Sequence, residues 1–269
     1  MPTHSTALAT AFVATCCLVC SSSVNADNPV PPAGQGSESH AVRVTTGNSP
    51  AGKKSYLGVP YHDPIYHGGP QVIPGRLQNE YYDTMDLSAE QKAAGAEEGI
   101  TYHDTDKINS GSGTLNGKGS YEKEFRMFES PDISYIKFDH AGVQIDDSPF
   151  NRVKPEADGL YLGWIAPGEW VNYTVVVKRP GTYSLTTSYT SKFGGHISFD
   201  SDGMDVSGPI EIPSTFDQAD PIEWRQAHHW NKVTRLGKLR LKEGVQVLTL
   251  HFIDQPVMNF DYMEFVREE

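Results

Sequence analysis

Short runs of β-branched and aromatic residues, each ended by turn-forming residues, occupy the second half of this chain. The clearest runs lie at residues 169–177, 182–189, 196–199, 238–241, 245–252 and 258–266. In the runs at 182–189 and 245–252, apolar and polar side chains alternate, which is the period of a strand with one buried face. Strands this short, with turns about every 8–12 residues, predict an all-β fold, an antiparallel β-sandwich or barrel. Residues 88–98 have a helix-forming composition and predict one short helix.

The first 26 residues predict a signal peptide. Residues 7–20 are nearly all apolar or small, no Lys, Arg, Asp or Glu occurs before Asp27, and Val24-Asn25-Ala26 offers small residues at a cleavage site. This run is too short to cross a bilayer as a helix, and no later apolar run approaches the length of a transmembrane helix. We therefore expect a secreted protein, or one in a periplasm or at a cell surface, without membrane insertion.

The three cysteines, Cys16, Cys17 and Cys20, all lie inside that segment. The mature protein is therefore expected to lack a disulfide framework, a cysteine-ligated zinc ion and a thiol nucleophile. An exported domain without disulfides needs a large core or a bound metal ion for its rigidity.

The charge balance excludes two classes of partner. The chain has 22 basic and 34 acidic residues, a net charge of −12. Nucleic acid and anionic membrane surfaces both favour a basic face, so we expect neither as a partner.

Composition divides the chain into three parts. After the signal peptide, residues 27–71 are rich in Pro, Gly, Ser and Asn and predict a low-order linker or arm. Tyr56, Tyr61 and Tyr66 are exceptions that could dock the end of this arm on the domain. Residues 72–269 then predict a single β-sandwich domain, with an insertion near 114–140.

Five motifs in order resemble carbohydrate-binding module family 6, a jelly-roll β-sandwich usually appended to glycoside hydrolases. They are IPGRLQNEYYD at 73–83, GITYHDTD at 99–106, LGWIAPGEWVNY at 162–173, GTYSL at 181–185 and VMNFDYMEF at 257–265. The resemblance runs from Val72 to the C-terminus, interrupted between Thr114 and about His140. It implies reversible, non-catalytic binding of a plant, algal or microbial polysaccharide or oligosaccharide, beside a separate glycoside hydrolase.

The resemblance also implies a sugar site. Family members hold a sugar between two aromatic side chains in loops, with an Asn that hydrogen-bonds the sugar. By motif these positions are Trp164, Trp230 and Asn259, and the polar sequence around Trp230 favours exposure of its indole. Pyranose rings present a face of C–H bonds that packs well on an aromatic ring. Trp170 is a further candidate, for a second cleft on the concave face, with core packing as the alternative.

A structural calcium ion is the third implication. Gln78 and Glu80 stand at i and i+2 on the first predicted strand, so their side chains share a face. Asp261 lies on the last strand, which neighbours the first in the resembled family. A carboxamide and two carboxylates supply the hard oxygen donors that calcium prefers. We expect the ion to fasten the ends of the sandwich together.

Two other functional classes stay open at this point. One is an extracellular protein-interaction or structural module, which buried rather than exposed indoles at Trp164 and Trp230 would favour. The other is a glycoside hydrolase or its accessory subunit, because Asp146, Asp147 and Glu169 could supply a carboxylate pair. No recognised catalytic motif surrounds these acids, so we expect no enzyme activity. His228 and His229 are expected to be solvated loop residues.

Overall fold

A computed structural model describes residues 55–62, 69–107, 109, 125–136, 146–156 and 159–268. All of them belong to one structural unit, Val44–Glu269. The predicted signal peptide at 1–26 and most of the predicted arm lie outside the described residues. So do residues 114–124 and 137–140 of the expected insertion.

The described residues form thirteen strands, one short helix and two 3-10 turns. The strands are β1 (Gln71–Ile73), β2 (Gly75–Gln78), β3 (Tyr102–His103), β4 (Ile133–Tyr135), β5 (Leu160–Leu162), β6 (Trp170–Val177), β7 (Gly181–Ser191), β8 (Gly195–Ser201), β9 (Met204–Asp205), β10 (Ile210–Ile212), β11 (Asn231–Leu241), β12 (Gly244–Phe252) and β13 (Met258–Arg267). The helix is α1 (Ala89–Ala93), and the 3-10 turns are Asn79–Tyr81 and Glu223–Ala227. No helix in this part of the chain is long and apolar enough to span a membrane.

The strands build two sheets, which confirms the predicted all-β sandwich. One sheet has the order β1-β6-β12-β8-β10, with β3 also paired to β6 and β9 to β8. The other has the order β11-β7-β13-β5-β4, with β2 also paired to β13. Pairing is antiparallel except between β1 and β6, which run parallel. Residues 125–136, within the expected insertion, supply β4 and are thus part of the second sheet.

The core lies between the two sheets, and strand alternation builds it. Every second residue of β6 from Val171 to Val177 is buried in it, and so is every second residue of β12 from Leu248 to Phe252. Strand β13 breaks this period, because its register shifts between Phe260 and Tyr262. A bulge of this kind re-aims a side chain, and the residue at the shift is Asp261, which is buried.

Helix α1 begins at a capping box. The Ser88 hydroxyl accepts a hydrogen bond from the Gln91 backbone N–H, and the Gln91 side chain accepts one from the Ser88 N–H. These two bonds satisfy backbone donors that a helix start leaves free. The short helix predicted within residues 88–98 is thereby confirmed.

Residues 55–62 pack on the sandwich through aromatic side chains. The Tyr56 hydroxyl donates to Asp83 Oδ2 at 2.9 Å, and Tyr61 stacks on Tyr81 with ring centroids 5.8 Å apart. The guanidinium group of Arg126 lies 3.3 Å from the ring centroid of Tyr82 and 4.6 Å from that of Tyr61. The end of the predicted arm is therefore docked through Tyr56 and Tyr61, and Tyr66 lies outside the described residues.

Candidate functional site

An exposed tryptophan in a left-handed backbone conformation marks one end of the sandwich. Trp164 follows β5, has a φ of 51° and keeps 52% of its surface exposed. A bulky residue rarely adopts this conformation, and it persists only where the surroundings enforce it. Three hydrogen bonds do so here: Gly163 N–H to Asp132 O at 2.9 Å, Ile165 N–H to Met258 O at 3.3 Å, and Trp164 N–H to Asn259 Oδ1 at 3.1 Å.

The glycine before this tryptophan allows two side chains to approach closely. A Cβ atom on Gly163 would lie 2.5 Å from Asn259 Oδ1 and 2.9 Å from ring atom Cε2 of Tyr161. Tyr161 is buried and stacks on Trp164, with ring centroids 6.3 Å apart and planes 15° from parallel. The indole is therefore a fixed platform, supported from below and open to solvent.

Asn259 lies beneath this platform and is only 7% exposed. Its Nδ2 donates to Thr190 Oγ1 at 2.6 Å and lies 3.2 Å from His228 Nδ1. With Oδ1 accepting the Trp164 N–H, the amide has partners on both atoms. Asn259 thus has a positioning role, which the sequence did not indicate, in addition to the predicted contact with sugar.

The predicted platform role of Trp230 is wrong for this structure, because its side chain is 0% exposed. Its indole N–H donates to Asp146 Oδ1 at 2.7 Å. The backbone N–H groups of Arg152 and Val153 donate to its carbonyl at 2.8 and 3.2 Å. Trp230 packs edge-on against Tyr161, with centroids 5.4 Å apart. An indole without an open face cannot stack on a sugar.

The two neighbouring histidines are also not solvated, contrary to expectation. His229 is 1% exposed and bonds Asp220 Oδ2 through Nε2 at 2.9 Å. The side chain of His228 is 15% exposed, and its Nε2 lies 2.6 Å from Asp146 Oδ1. Because a carboxylate accepts, Nε2 of His228 carries a hydrogen, and in the neutral ring Nδ1 is free to accept from Asn259. The Asp146–His228 pair therefore holds the amide of Asn259.

Trp170 lies apart from this platform. It begins β6 on the face opposite the buried Val171 and is partly exposed. His103 and His251 stand opposite it on the two neighbouring strands, and the His103 ring centroid is 6.4 Å away. Trp170 thus belongs to the outer surface of its sheet and not to the core.

The predicted metal ligands come together, but on different local structure from that expected. Gln78 ends β2 and Glu80 lies in the following 3-10 turn, so the two do not alternate along one strand as predicted. Strand β2 pairs with β13, where Tyr262 stands opposite Gln78. The expected neighbourhood of the motif strand and the last strand is therefore present, with Asp261 at the bulge.

The donor set fits a hard cation. Gln78 Oε1, Glu80 Oε2 and Asp261 Oδ2 are buried atoms without a hydrogen-bond partner among the described residues. Burial raises the pKa of Glu80 well above its usual range, and the nearby Asp261 raises it further. Burial likewise raises the pKa of Asp261 to about 7. A divalent cation would satisfy these three oxygens and balance the two carboxylates. Within the described ranges, no group of three or more His, Cys, Asp or Glu side chains could hold a metal ion. The candidate set differs from such a group because its third oxygen belongs to the carboxamide of Gln78.

The acids considered for catalysis are mostly engaged in the fold. Glu169 accepts the N–H and hydroxyl of Thr105 at 3.1 and 2.7 Å, and the N–H of Ala166 at 2.8 Å. Asp146 accepts from Trp230 and His228, and Asp147 is exposed. Asp104 lies near Glu169. Burial, and after it the negative charge of Glu169, raise the pKa of Asp104 to about 8. These contacts give Asp146 and Glu169 structural roles.

A family model described as carbohydrate binding module (family 6) matches residues 138–267. This match confirms the resemblance over the part of the chain that contains Trp164, Trp230, Asn259 and Asp261. Residues 138–267 are thus similar to family 6 carbohydrate-binding modules. Gln78 and Glu80 lie outside the matched segment. No curated protein matches the sequence significantly.

Several solved structures are similar to this chain at low identity. A β-1,3-glucan binding CBM6 from Bacillus halodurans is 18% identical, with 73% of this chain and 98% of that chain covered and a TM-score of 0.40. A CBM6 from Clostridium stercorarium in complex with cellobiose is 14% identical, with 74% and 98% covered and a TM-score of 0.41. A glycoside hydrolase family 43 arabinoxylan arabinofuranohydrolase from Bacillus subtilis is 19% identical, with 51% of this chain covered and a TM-score of 0.37. The match spans 25% of the length of that hydrolase.

Proposed function

We propose that this protein binds a polysaccharide or oligosaccharide reversibly, by stacking a pyranose ring on the open face of Trp164. The observation that carries the proposal is a tryptophan held half-exposed in a left-handed conformation by Asn259. Exposing an indole and straining its backbone both cost stability, so such an arrangement points to a ligand. The family match over residues 138–267 supports a carbohydrate as that ligand.

The binding is proposed to involve no covalent chemistry. Two of the three candidate acids, Asp146 and Glu169, are held by hydrogen bonds within the fold. A single shallow platform leaves little free energy of association after ordering costs, so we expect modest affinity. The same reasoning favours a polymer, because several weak contacts can act along one chain.

A structural calcium ion at Gln78, Glu80 and Asp261 is the second part of the proposal. Its support is the three buried oxygen atoms without partners, on β2, its 3-10 turn and β13. Calcium would neutralise the two carboxylates and tie the beginning of the sandwich to its last strand. Export of the protein, and action beside a separate glycoside hydrolase, are further parts of the proposal and rest on the sequence of residues 1–26 and on the family.

Affinity electrophoresis tests the binding proposal. The mature protein is run, with calcium present, through gels that contain xylan, β-1,3-glucan, a cellulose derivative, agarose or alginate. We expect at least one polysaccharide to retard the wild type, Trp164→Phe to keep part of the retardation, and Trp164→Ala to lose it with an unchanged circular dichroism spectrum. Equal retardation of Trp164→Ala and wild type would refute the site, and no retardation in any gel would refute the function.

A second assay tests the non-catalytic part. The retained polysaccharide is incubated with the protein, and new reducing ends are counted against a buffer control. We expect no increase over the control. An increase that Glu169→Gln removes would assign catalysis to that acid.

A further inference from the structure

Several large apolar side chains besides Trp164 are exposed on loops at the same end of the sandwich. Phe193 is 53% exposed, Phe216 40%, Trp224 56% and Val257 40%. Phe193 lies in the turn from β7 to β8, Val257 precedes β13, and the other two follow β10. Single exposed apolar residues are ordinary, but a connected set of them marks a binding surface.

Backbone hydrogen bonds place the chain segments that carry Trp164, Val257 and Phe193 next to one another. Ile165, the residue after Trp164, accepts a hydrogen bond at its backbone oxygen from Val257 N–H at 2.9 Å. Lys192, the residue before Phe193, donates its backbone N–H to Val257 O at 3.1 Å. Three chain segments therefore lie side by side, separated as neighbouring strands are, by about 4.8 Å.

The row continues to Phe216 by the same kind of contact. Thr215 N–H donates to Ser191 O at 2.8 Å, and the Ser214 hydroxyl donates to Lys192 O at 2.7 Å. The segment that ends in Phe216 thus lies along the other side of the β7–β8 turn. Beyond it, Asp217 N–H donates to Gln226 O at 3.0 Å and closes the loop that carries Trp224.

The turn that presents Phe193 is wedged between its two neighbours. A Cβ atom on Gly195 would lie 2.6 Å from Met258 Cε and 2.7 Å from Gln255 Cβ. A Cβ atom on Gly194 would lie 2.9 Å from Ile212 O, on the opposite side. Gly194 N–H also donates to Ser191 Oγ at 3.0 Å. These contacts restrict the backbone of the turn, so little backbone entropy is lost when a ligand covers Phe193.

We propose that Trp164, Val257, Phe193 and Phe216 form one continuous row that binds an extended polysaccharide chain, with Trp224 at its far end. This inference rests on the proposed function and names the form of its ligand. With Trp230 buried, one face of Trp164 is left for stacking, and the row supplies the further contacts. Polar residues such as Lys192 and Ser214 lie beside the rings of the row in sequence, whereas the centre of a protein interface is depleted of charge. A chain of pyranose rings, with apolar faces and hydroxyl edges, fits that mixture of rings and polar residues.

The row predicts that affinity grows with the length of the sugar. A disaccharide covers Trp164 and little else, while a longer oligosaccharide also reaches Phe193 and then Phe216. Removal of one phenyl ring should therefore weaken the binding of long oligosaccharides and leave the binding of short ones unchanged.

Isothermal titration calorimetry tests this with oligosaccharides of two to six units cut from the polysaccharide that retards the wild type. For Phe193→Ala and for Phe216→Ala we expect about fivefold weaker binding of the hexasaccharide and unchanged binding of the disaccharide. Trp164→Ala should weaken every length. Met204→Ala is the matched control, because Met204 is equally exposed, at 53%, but follows the opposite end of β8.

The outcomes separate this inference from the proposed function. If both phenylalanine variants bind every length as the wild type does while Trp164→Ala fails, the row is refuted and the platform stands. If the wild type binds no sugar, the proposed function falls with it. If the phenylalanine variants instead convert a dimer into a monomer in size-exclusion chromatography, the row is a contact between copies, and the inference is overturned.

Discussion

Removal of calcium is expected to destabilise the protein markedly. Without the ion, Gln78 Oε1, Glu80 Oε2 and Asp261 Oδ2 are left buried and without partners. Each such group costs about 1–3 kcal/mol, so the metal-free protein loses at least about 3 kcal/mol. For a domain of this size, each kcal/mol shifts Tm by about 2–4 °C. We therefore expect Tm to fall by about 6–12 °C in excess chelator. Mass action agrees, since an ion at one hundred times its Kd stabilises by about 2.7 kcal/mol.

The variant Glu80→Gln makes the test sharper, because its effect should change with conditions. In calcium it removes a charged ligand, and we expect it to melt below the wild type. In chelator it replaces a buried carboxylate by a neutral amide, which is cheaper to bury, and we expect it to melt no lower than the wild type. Differential scanning calorimetry with and without chelator measures both. Glu211→Gln, on an exposed position of β10, controls for charge alone. Identical wild-type melting curves with calcium and with chelator would refute the site.

Three further outcomes follow from the contacts. Gly163→Ala should abolish sugar binding with the fold retained, since its Cβ would lie 2.5 Å from Asn259 Oδ1; unchanged binding would show that the platform tolerates displacement. Trp230→Ala should lower the free energy of unfolding in urea by about 3–5 kcal/mol and free Asp146 from its indole partner; a small loss would contradict its core role. Burial raises the pKa of Asp83 to about 6. The contribution of Asp83 to the free energy of unfolding, roughly 3 kcal/mol, is therefore present below pH ~4 and lost as pH rises through 6. Asp83→Asn should remove that decline from urea unfolding curves measured across this pH window.

The sheets could be predicted from sequence because burial on one face imposes a period of two. That period is visible in the sequence of β12, and the structure keeps it there. It fails at the bulge in β13, where Asp261 turns inward. The motif strand is also shorter than expected, because the chain enters a 3-10 turn after Gln78. Local turns of this kind leave no periodic signal.

The platform was predicted in part. Trp164 is exposed as its motif implies, but the burial of Trp230 depends on Asp146 and Val153, which are about eighty residues away in sequence. A polar local sequence therefore predicted exposure where distant residues cover the side chain. Tyr161 and His228 were missed for the same reason. Phe193 had a signal, since a large aromatic residue before Gly194-Gly195 in a turn has no core to enter.

The central claim is that Trp164 is the sugar platform and Trp230 is core. Isothermal titration calorimetry of wild type, Trp164→Ala and Trp164→Phe with the retained polysaccharide, followed by the melting temperature of each variant, tests it most directly. We expect at least a tenfold loss of affinity in Trp164→Ala, about 1.4 kcal/mol, with partial recovery in Trp164→Phe and an unchanged melting temperature in both. Full affinity in Trp164→Ala would contradict the claim.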